Sequence, residues 1–375
     1  MANYAHFYPC GNGDCSVIRV GDQIVITDVN YRQTAQNDSK AEYFDFGSHL
    51  RQACSQDDGT LRATVFVLTH PDQDHLSGMG DLFHLGEPQF DPETEDGTPL
   101  ILIEELWVTP YAVDPNDSDS EAKQAVYAEI RRRYALLGTE SGEQPGNILR
   151  VLTTDDVGND PIVLSDSLQA TILAPTPEEA DIPDSGDSDA PNSANDSSLV
   201  IQWAVSLGDD VWHVLLGGDA TAEVWERIWN DDALDQSRFQ WDILLAPHHC
   251  SRGALERRTG KDADGNSEYE DCPDAKEALG QAKPGAFVVV SANEFEDGKT
   301  PPNPVARNHY LDVLTNQAGV IAEDNLIQPE VHDDGDPAPV EFNFDDGGLS
   351  REPASSRAAT VETVSAAGAA PGEFG

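Results

Sequence analysis

Residues Thr69-His70-Pro71-Asp72-Gln73-Asp74-His75 follow directly on the apolar run Val65-Phe66-Val67-Leu68 and precede Leu-Ser-Gly-Met-Gly. A short apolar run of this kind is a buried strand. Leu76, Met79, Leu82 and Phe83 then recur at helical spacing, which predicts one helix from just after His75 to near Gly86. The polar segment therefore occupies a strand-to-helix loop, where neighbouring side chains converge. Acids crowded beside neutral imidazoles are tolerated in a folded chain mainly when a divalent cation compensates their charge. Taken alone, the segment also reads as a solvated acidic turn.

Two later segments have the same construction. Val214-Leu215-Leu216-Gly217-Gly218-Asp219 sets a carboxylate just past an apolar strand, and Ile243-Leu244-Leu245-Ala246-Pro247-His248-His249 sets imidazoles past another. Asp219 alone reads more often as a helix cap. With three strand ends each delivering donor groups, however, one edge of a sheet becomes a candidate metal centre. Neighbours in extended backbone point to opposite sides, so one of His248 and His249 is expected to face the site, and His248 is favoured.

In its order of motifs, His-x-Asp-x-Asp-His, then Gly-Asp after a strand, then Pro-His-His-x-Ser, the chain resembles the metallo-β-lactamase superfamily. More narrowly it is similar to the hydrolase domain of ComEC-type DNA-uptake proteins and its free-standing relatives. Gly11-Asn12-Gly13-Asp14, Ile26-Thr27-Asp28 and Asn195-Asp196-Ser197-Ser198-Leu199-Val200 match further motifs of that group, over roughly residues 5 to 320. The resemblance implies an α/β fold, an αββα sandwich of two mixed β-sheets flanked by helices, with two divalent metal ions, zinc or manganese, at one edge. It implies that Asp74, His75 and His248 hold one ion, that His70 and Asp72 contribute to the other, and that Asp219 bridges. Asp14, Asp28, Asn195 and His249 become supporting residues or alternative ligands. The chain departs from the superfamily at Asp72, where His is usual, which hardens the site toward manganese. Cys250 stands where relatives have Gly, and Lys299-Thr300-Pro301 where they have Gly-His-Pro.

The rest of the pattern fits one large domain, residues 1–345, with acidic loop insertions near 87–99 and 175–195 and a disordered tail at 346–375. No apolar stretch is long enough to span a bilayer, and nothing at the N-terminus resembles a secretion signal, so a cytoplasmic protein without a membrane partner is expected. Five scattered cysteines without a CxxC pair read as free thiols. Arg131-Arg132-Arg133 reads as a solvated helix face.

The expected activity is hydrolysis of phosphodiester bonds in nucleic acid or nucleotides by a metal-activated water. Asp74 and Asp219 are the catalytic carboxylates, and Lys299 faces the leaving group. With 69 acidic residues against 22 basic and a formal charge of −47, the surface repels a long polyanion unless salt or a protein partner screens it. Small nucleotides meet that objection better. The same donor set serves a hydrolase of a carboxylic ester, thioester or lactam, and a damaged centre would leave a non-catalytic, metal-stabilised binding or regulatory subunit.

Overall fold

The computed structural model describes residues 3–32, 44–113, 120–157, 160–177, 194–231, 234–262, 267–295, 301–331, 336–345 and 347–352. Two mixed sheets face each other. The first contains β1 (Tyr4–Phe7), β2 (Ser16–Val20), β3 (Gln23–Thr27), β4 (Arg62–Val67), β5 (Leu102–Val108) and β6 (Ile148–Val151). The second is built from β7 (Ile162–Ser165), β8 (Leu168–Ala174), β9 (Val200–Leu207), β10 (Asp210–Leu216), β11 (Trp241–Leu245), β14 (Ala282–Val289) and β15 (Leu326–Ile327). A separate hairpin, β12 (Glu256–Lys261) and β13 (Ser267–Asp271), lies between β11 and β14 in sequence, and β16 (Val340–Asp345) and β17 (Gly348–Arg351) return to the first sheet. The first sheet runs β17-β16-β1-β2-β3-β4-β5-β6 and the second β15-β14-β11-β10-β9-β8-β7.

Alternation along the strands decides the layers. In β4, Val65 and Val67 point between the sheets, where they meet Ile201, Trp203 and Val205 of β9 and Val214 of β10. Phe66 and, just beyond the strand, Leu68 point the other way, under the helices Gly47–Ala53 and Glu121–Tyr134. The far face of the second sheet is covered by Ala222–Trp229, Pro273–Leu279 and Pro304–Val313. Trp107 of β5 and Trp203 of β9 stack across the inner layer with ring centroids 5.8 Å apart. Each such side chain, removed from water, contributes roughly 1.5–3 kcal/mol, which is why runs too apolar to alternate with polar residues become strands buried on both faces. The expected αββα sandwich is the architecture found.

Three expectations need correction. The single helix after His75 is two turns, Gln73–Leu76 and Met79–Leu82, broken at Gly78. There the backbone is left-handed (φ 77°), which ends the first turn, and a Cβ would lie 2.1 Å from the carbonyl oxygen of Tyr31, in the segment that follows β3, so the close approach of that backbone excludes a side chain. The ordered sheet also passes residue 345, because Gly348–Arg351 pairs with β16; residues 353–375 of the expected tail lie outside the described residues. Most of the insertion near 175–195 lies outside them as well. Finally, the Arg131–Arg133 helix face is not simply solvated. Glu129, on the same helix, accepts hydrogen bonds from Arg132 (Nε 2.9 Å, Nη2 2.8 Å) and Arg133 (Nε 2.7 Å), and the Arg133 guanidinium, 1% exposed, donates to the carbonyl oxygens of Ile103 and Ile148. It locks the helix onto β5 and β6.

All five cysteines are free and buried. No helix among the described residues is long and apolar enough to cross a membrane.

Candidate metal centre

In the first sheet β3 runs parallel to β4, and in the second β10, β11 and β14 run parallel to one another. Residues of the predicted set follow four of these strands, Asp28 after β3, His70 after β4, Asp219 after β10 and His248 and His249 after β11, and contacts among them and His75 bring those strand ends together. The turn between β1 and β2 adds Asp14, whose amide donates to the Asp74 carbonyl oxygen at 3.3 Å. Gly13 is required there, because a Cβ would come 2.7 Å from that same carbonyl and 2.1 Å from the Asn30 amide.

Asp219 is the hub. Its Oδ1 lies 3.2 Å from His75 Nε2 and 3.5 Å from His249 Nε2, and His249 Nε2 lies 3.4 Å from Asp74 Oδ2. Donor atoms of Asp14, His75, Asp219 and His249 all fall within 4.8 Å of one another, and all four residues are buried. Its other oxygen, Oδ2, faces His248 Nε2 at 3.7 Å and His70 Nε2 at 3.9 Å, and Asp72 Oδ2 lies 3.8 Å from His70 Nε2. Donors about 2.0–2.2 Å from a tetrahedral ion stand about 3.3–3.6 Å apart, so the Oδ1 side has the spacing of a coordination shell and the Oδ2 side is wider.

The polar bookkeeping points the same way. Asp14 Oδ1, His70 Nε2, His75 Nε2, Asp219 Oδ1 and His249 Nε2 are buried without a well-directed hydrogen bond among the described residues. Buried polar atoms left unsatisfied cost of order 1–3 kcal/mol each, and a cluster of them aimed at one point fits a cation. The opposite ring nitrogens, by contrast, are engaged. His75 Nδ1 is 2.8 Å from Asp28 Oδ2 and His249 Nδ1 is 3.1 Å from the Ser291 carbonyl oxygen, so each ring donates from Nδ1 and turns its Nε2 lone pair inward. Thr69 Oγ1 donates to Asp28 Oδ2 at 2.6 Å and lies 3.2 Å from His70 Nδ1, extending the same control to the third ring. The Thr69 amide donates to Asp28 Oδ1 at 2.8 Å, so the wholly buried Asp28 braces two imidazoles and the strand end between them.

Charge is strongly coupled across the cluster. Burial and the neighbouring His75 push His70 down to about 3, so it is neutral. Burial also opposes charge on His75 and His249, yet Asp219 outweighs it and raises both well above the ordinary imidazole value, with Asp28 adding to the effect at His75 and Asp14 and Asp74 at His249. Burial would raise Asp219, but His249, His248 and His75 hold it well below the carboxylate range. A cation entering here replaces protons shared between carboxylates and imidazoles.

The structure places the predicted residues differently from expectation at one point. His249, not the favoured His248, sits with Asp74 and His75, while His248 joins His70 on the other oxygen of Asp219. Alternation fails because the backbone is not extended. His248 and His249 are both left-handed (φ 51° and 53°), as is Cys250 (φ 61°), so the two imidazoles diverge around Asp219 rather than to opposite faces. Pro247, ending β11, was the available sign that extended geometry stops there. Burial pushes the Cys250 thiol up to about 12, and its side chain packs into the apolar layer on the far face of the second sheet. Asn195 is fully buried and neither side-chain amide atom is hydrogen-bonded among the described residues; its turn leads to Ser198, whose Oγ accepts from the Asp219 amide at 3.2 Å. Lys299 lies outside the described residues. A basic group that went unnoticed in the sequence, Lys123, stands 3.8 Å from Asp72 Oδ1. It belongs to the helix Glu121–Tyr134, far along the chain from any motif.

No family model and no curated protein matches the chain. Several solved structures similar to it are named as metallo-beta-lactamases or as a metallo-beta-lactamase fold protein. The metallo-beta-lactamase fold protein YhfI from Bacillus subtilis aligns with TM-score 0.38 and 10% identity, over 90% of this chain and 99% of that one. Igni18, a metallo hydrolase from the archaeon Ignicoccus hospitalis, aligns with TM-score 0.38 and 11% identity, over 91% and 100% of the two chains. MEM-A1, a subclass B3 metallo-beta-lactamase from a soil metagenome library, aligns with TM-score 0.32 and 10% identity, over 65% and 76%.

Proposed function

We propose that this chain is a metal-dependent hydrolase of the metallo-β-lactamase type that cleaves phosphodiester bonds, with small nucleotides favoured over long nucleic acid. The observation that carries the reading is the gathering of donor atoms of Asp14, His75, Asp219 and His249 within 4.8 Å, the Nε2 atoms of His75 and His249 meeting at Asp219 Oδ1. In this reading Asp14, Asp74, His75, Asp219 and His249 would hold one divalent ion, and His70, Asp72 and His248, with Asp219, would hold a second. Three carboxylates against two imidazoles make the first position oxygen-rich, which suits manganese as well as zinc. The bound cations supply an acidified water and polarise the ester oxygens.

The chain's own residues do the rest. Asp28 and Ser291 fix the imidazole tautomers so that no ring has to reorganise during turnover. The Asp74 side chain is 40% exposed while His75 and His249 are buried, so water and substrate reach the centre from the Asp74 side, where this carboxylate would orient the water. Lys123, beside Asp72, supplies a positive group on the rim for an anionic ester. The whole surface, at −47, selects against extended polyanions at low salt.

The test is turnover by the full chain, loaded with manganese or zinc, on model phosphodiesters, cyclic nucleotides, single-stranded DNA, and a thioester and lactam panel. Metal-dependent cleavage of the small diesters, lost in Asp219→Asn, is expected. Turnover confined to acyl substrates would transfer the reading to acyl hydrolysis, and no turnover on any of them would defeat it.

A further inference from the structure

We propose that His6, His49 and Glu341 form a second metal site, separate from the Asp219 centre, which takes a zinc-class dication and fastens the C-terminal hairpin to the N-terminal strand.

The three residues come from three elements that the fold itself brings together. His6 of β1 and Glu341 of β16 are direct partners in the antiparallel register, so their side chains leave the sheet on the same face. That face is the one covered by the helix Gly47–Ala53, which lays His49 over the pair. One donor atom of each residue lies within 4.8 Å of the other two. His49 Nε2 is 3.3 Å and His6 Nε2 3.9 Å from the same Glu341 oxygen, Oε1, and the two imidazole centroids are 5.5 Å apart.

The 3.9 Å separation is too long for a hydrogen bond and the 3.3 Å one stands at the long end of the range. The shorter matches the spacing of about 3.3–3.6 Å that two donors keep around one tetrahedral ion, and the longer is slightly wider. One further observation favours a ligand over a plain ion pair. The His6 ring is held in place by its stacking on Tyr4, centroids 4.0 Å apart, its Nδ1 having no hydrogen bond among the described residues. His49 Nδ1, in contrast, lies 3.2 Å from the hydroxyl of the fully buried Tyr8, which fixes the ring with Nε2 toward Glu341. The His49 and Glu341 side chains are 34% and 30% exposed, so the fourth position is open to water and an ion has a route in. Two imidazoles and one carboxylate are a set that zinc accepts, with the charge of one glutamate balanced in part by the ion. The inference stands independently of what the Asp219 centre does.

The experiment is zinc content per full-length chain after loading and removal of loose ion, in the parent, His49→Ala and Glu341→Gln. The parent should hold one equivalent more than either variant, while metal-dependent activity at the Asp219 centre, if present in the parent, stays the same. Asp219→Asn should still hold the ion at this site, visible as zinc anomalous scattering between His6, His49 and Glu341 in crystals. Equal zinc in all three proteins, or anomalous maps showing water alone at that position, would overturn the proposal. Should one variant fail to fold, the other and the crystal experiment on the parent decide.

Discussion

Asp28 Oδ2 lies 2.8 Å from His75 Nδ1 and 2.6 Å from Thr69 Oγ1, so one buried carboxylate sets the orientation of His75 directly and of His70 through a hydroxyl. Asp28→Asn replaces an acceptor with a group that can donate, and the His75 tautomer is no longer dictated. Metal affinity should fall about 10- to 100-fold, the usual cost of losing such support, with the fold retained. Competition titration against a chelating dye reads it. Unchanged affinity would show that the Asp28 hydrogen bonds serve only the strand end.

His248 and His249 are adjacent in sequence but serve different oxygens of Asp219. His249→Ala should lose the ion shared with Asp74 and His75, and His248→Ala the one nearer His70. Because the Oδ1 side has the tighter spacing, His249→Ala should cost the more tightly held ion. Stepwise dialysis against a chelator with elemental analysis separates the two variants; identical release curves would remove the distinction drawn here.

Glu129 offers a test of stability away from the site. Burial pushes its carboxyl up, but Arg132 and Arg133 outweigh that and leave it below the ordinary value of 4.5. A lowered folded-state value means the contribution is fully present above the unfolded value and disappears as pH falls through the folded one. Acid should therefore weaken the parent below about pH 4.5 by a component that Glu129→Gln lacks. At neutral pH the variant leaves Arg133 buried without its counter-charge and should lose roughly 3–5 kcal/mol in denaturant melts. A loss within about 0.5 kcal/mol, the range of ordinary surface substitutions, would contradict this.

The excess of 69 acidic over 22 basic residues predicts a salt response. Self-repulsion acts over roughly 10 Å at 0.1 M ionic strength and over about 3 Å at 1 M, so the melting temperature should climb steadily between those conditions. A flat or falling curve with sodium chloride would exclude charge repulsion as a significant load on the fold.

The sequence was most readable where chemistry and burial coincide. Apolar runs ending in His70, Asp219 and His248-His249 marked both the strands and the edge at which they emerge, because buried parallel strands tolerate few polar residues and the first ones past the end stand out. It was least readable where conformation is set by distant contacts. Nothing local announces that the Tyr31 backbone forbids a side chain at Gly78, that two successive left-handed residues aim both His248 and His249 inward, or that Arg133 finds carbonyl acceptors on β5 and β6. The Glu256–Asp271 hairpin is too polar to carry a core signal, and pairing alone makes it strands, whereas β16 does carry an alternation, Val340, Phe342 and Phe344 entering the layer between the sheets.

The place of β16 in the first sheet has a consequence for biosynthesis. Tyr4 to Phe7 pair with residues Val340 to Asn343, so the partner for one edge of β1 is translated more than three hundred positions after it. At about 5–20 residues per second, that edge stays uncovered on the order of tens of seconds, with its amides and carbonyls open to any other extended chain. Nascent protein is accordingly most vulnerable to misassociation late in synthesis, and maturation ends when the last hairpin docks.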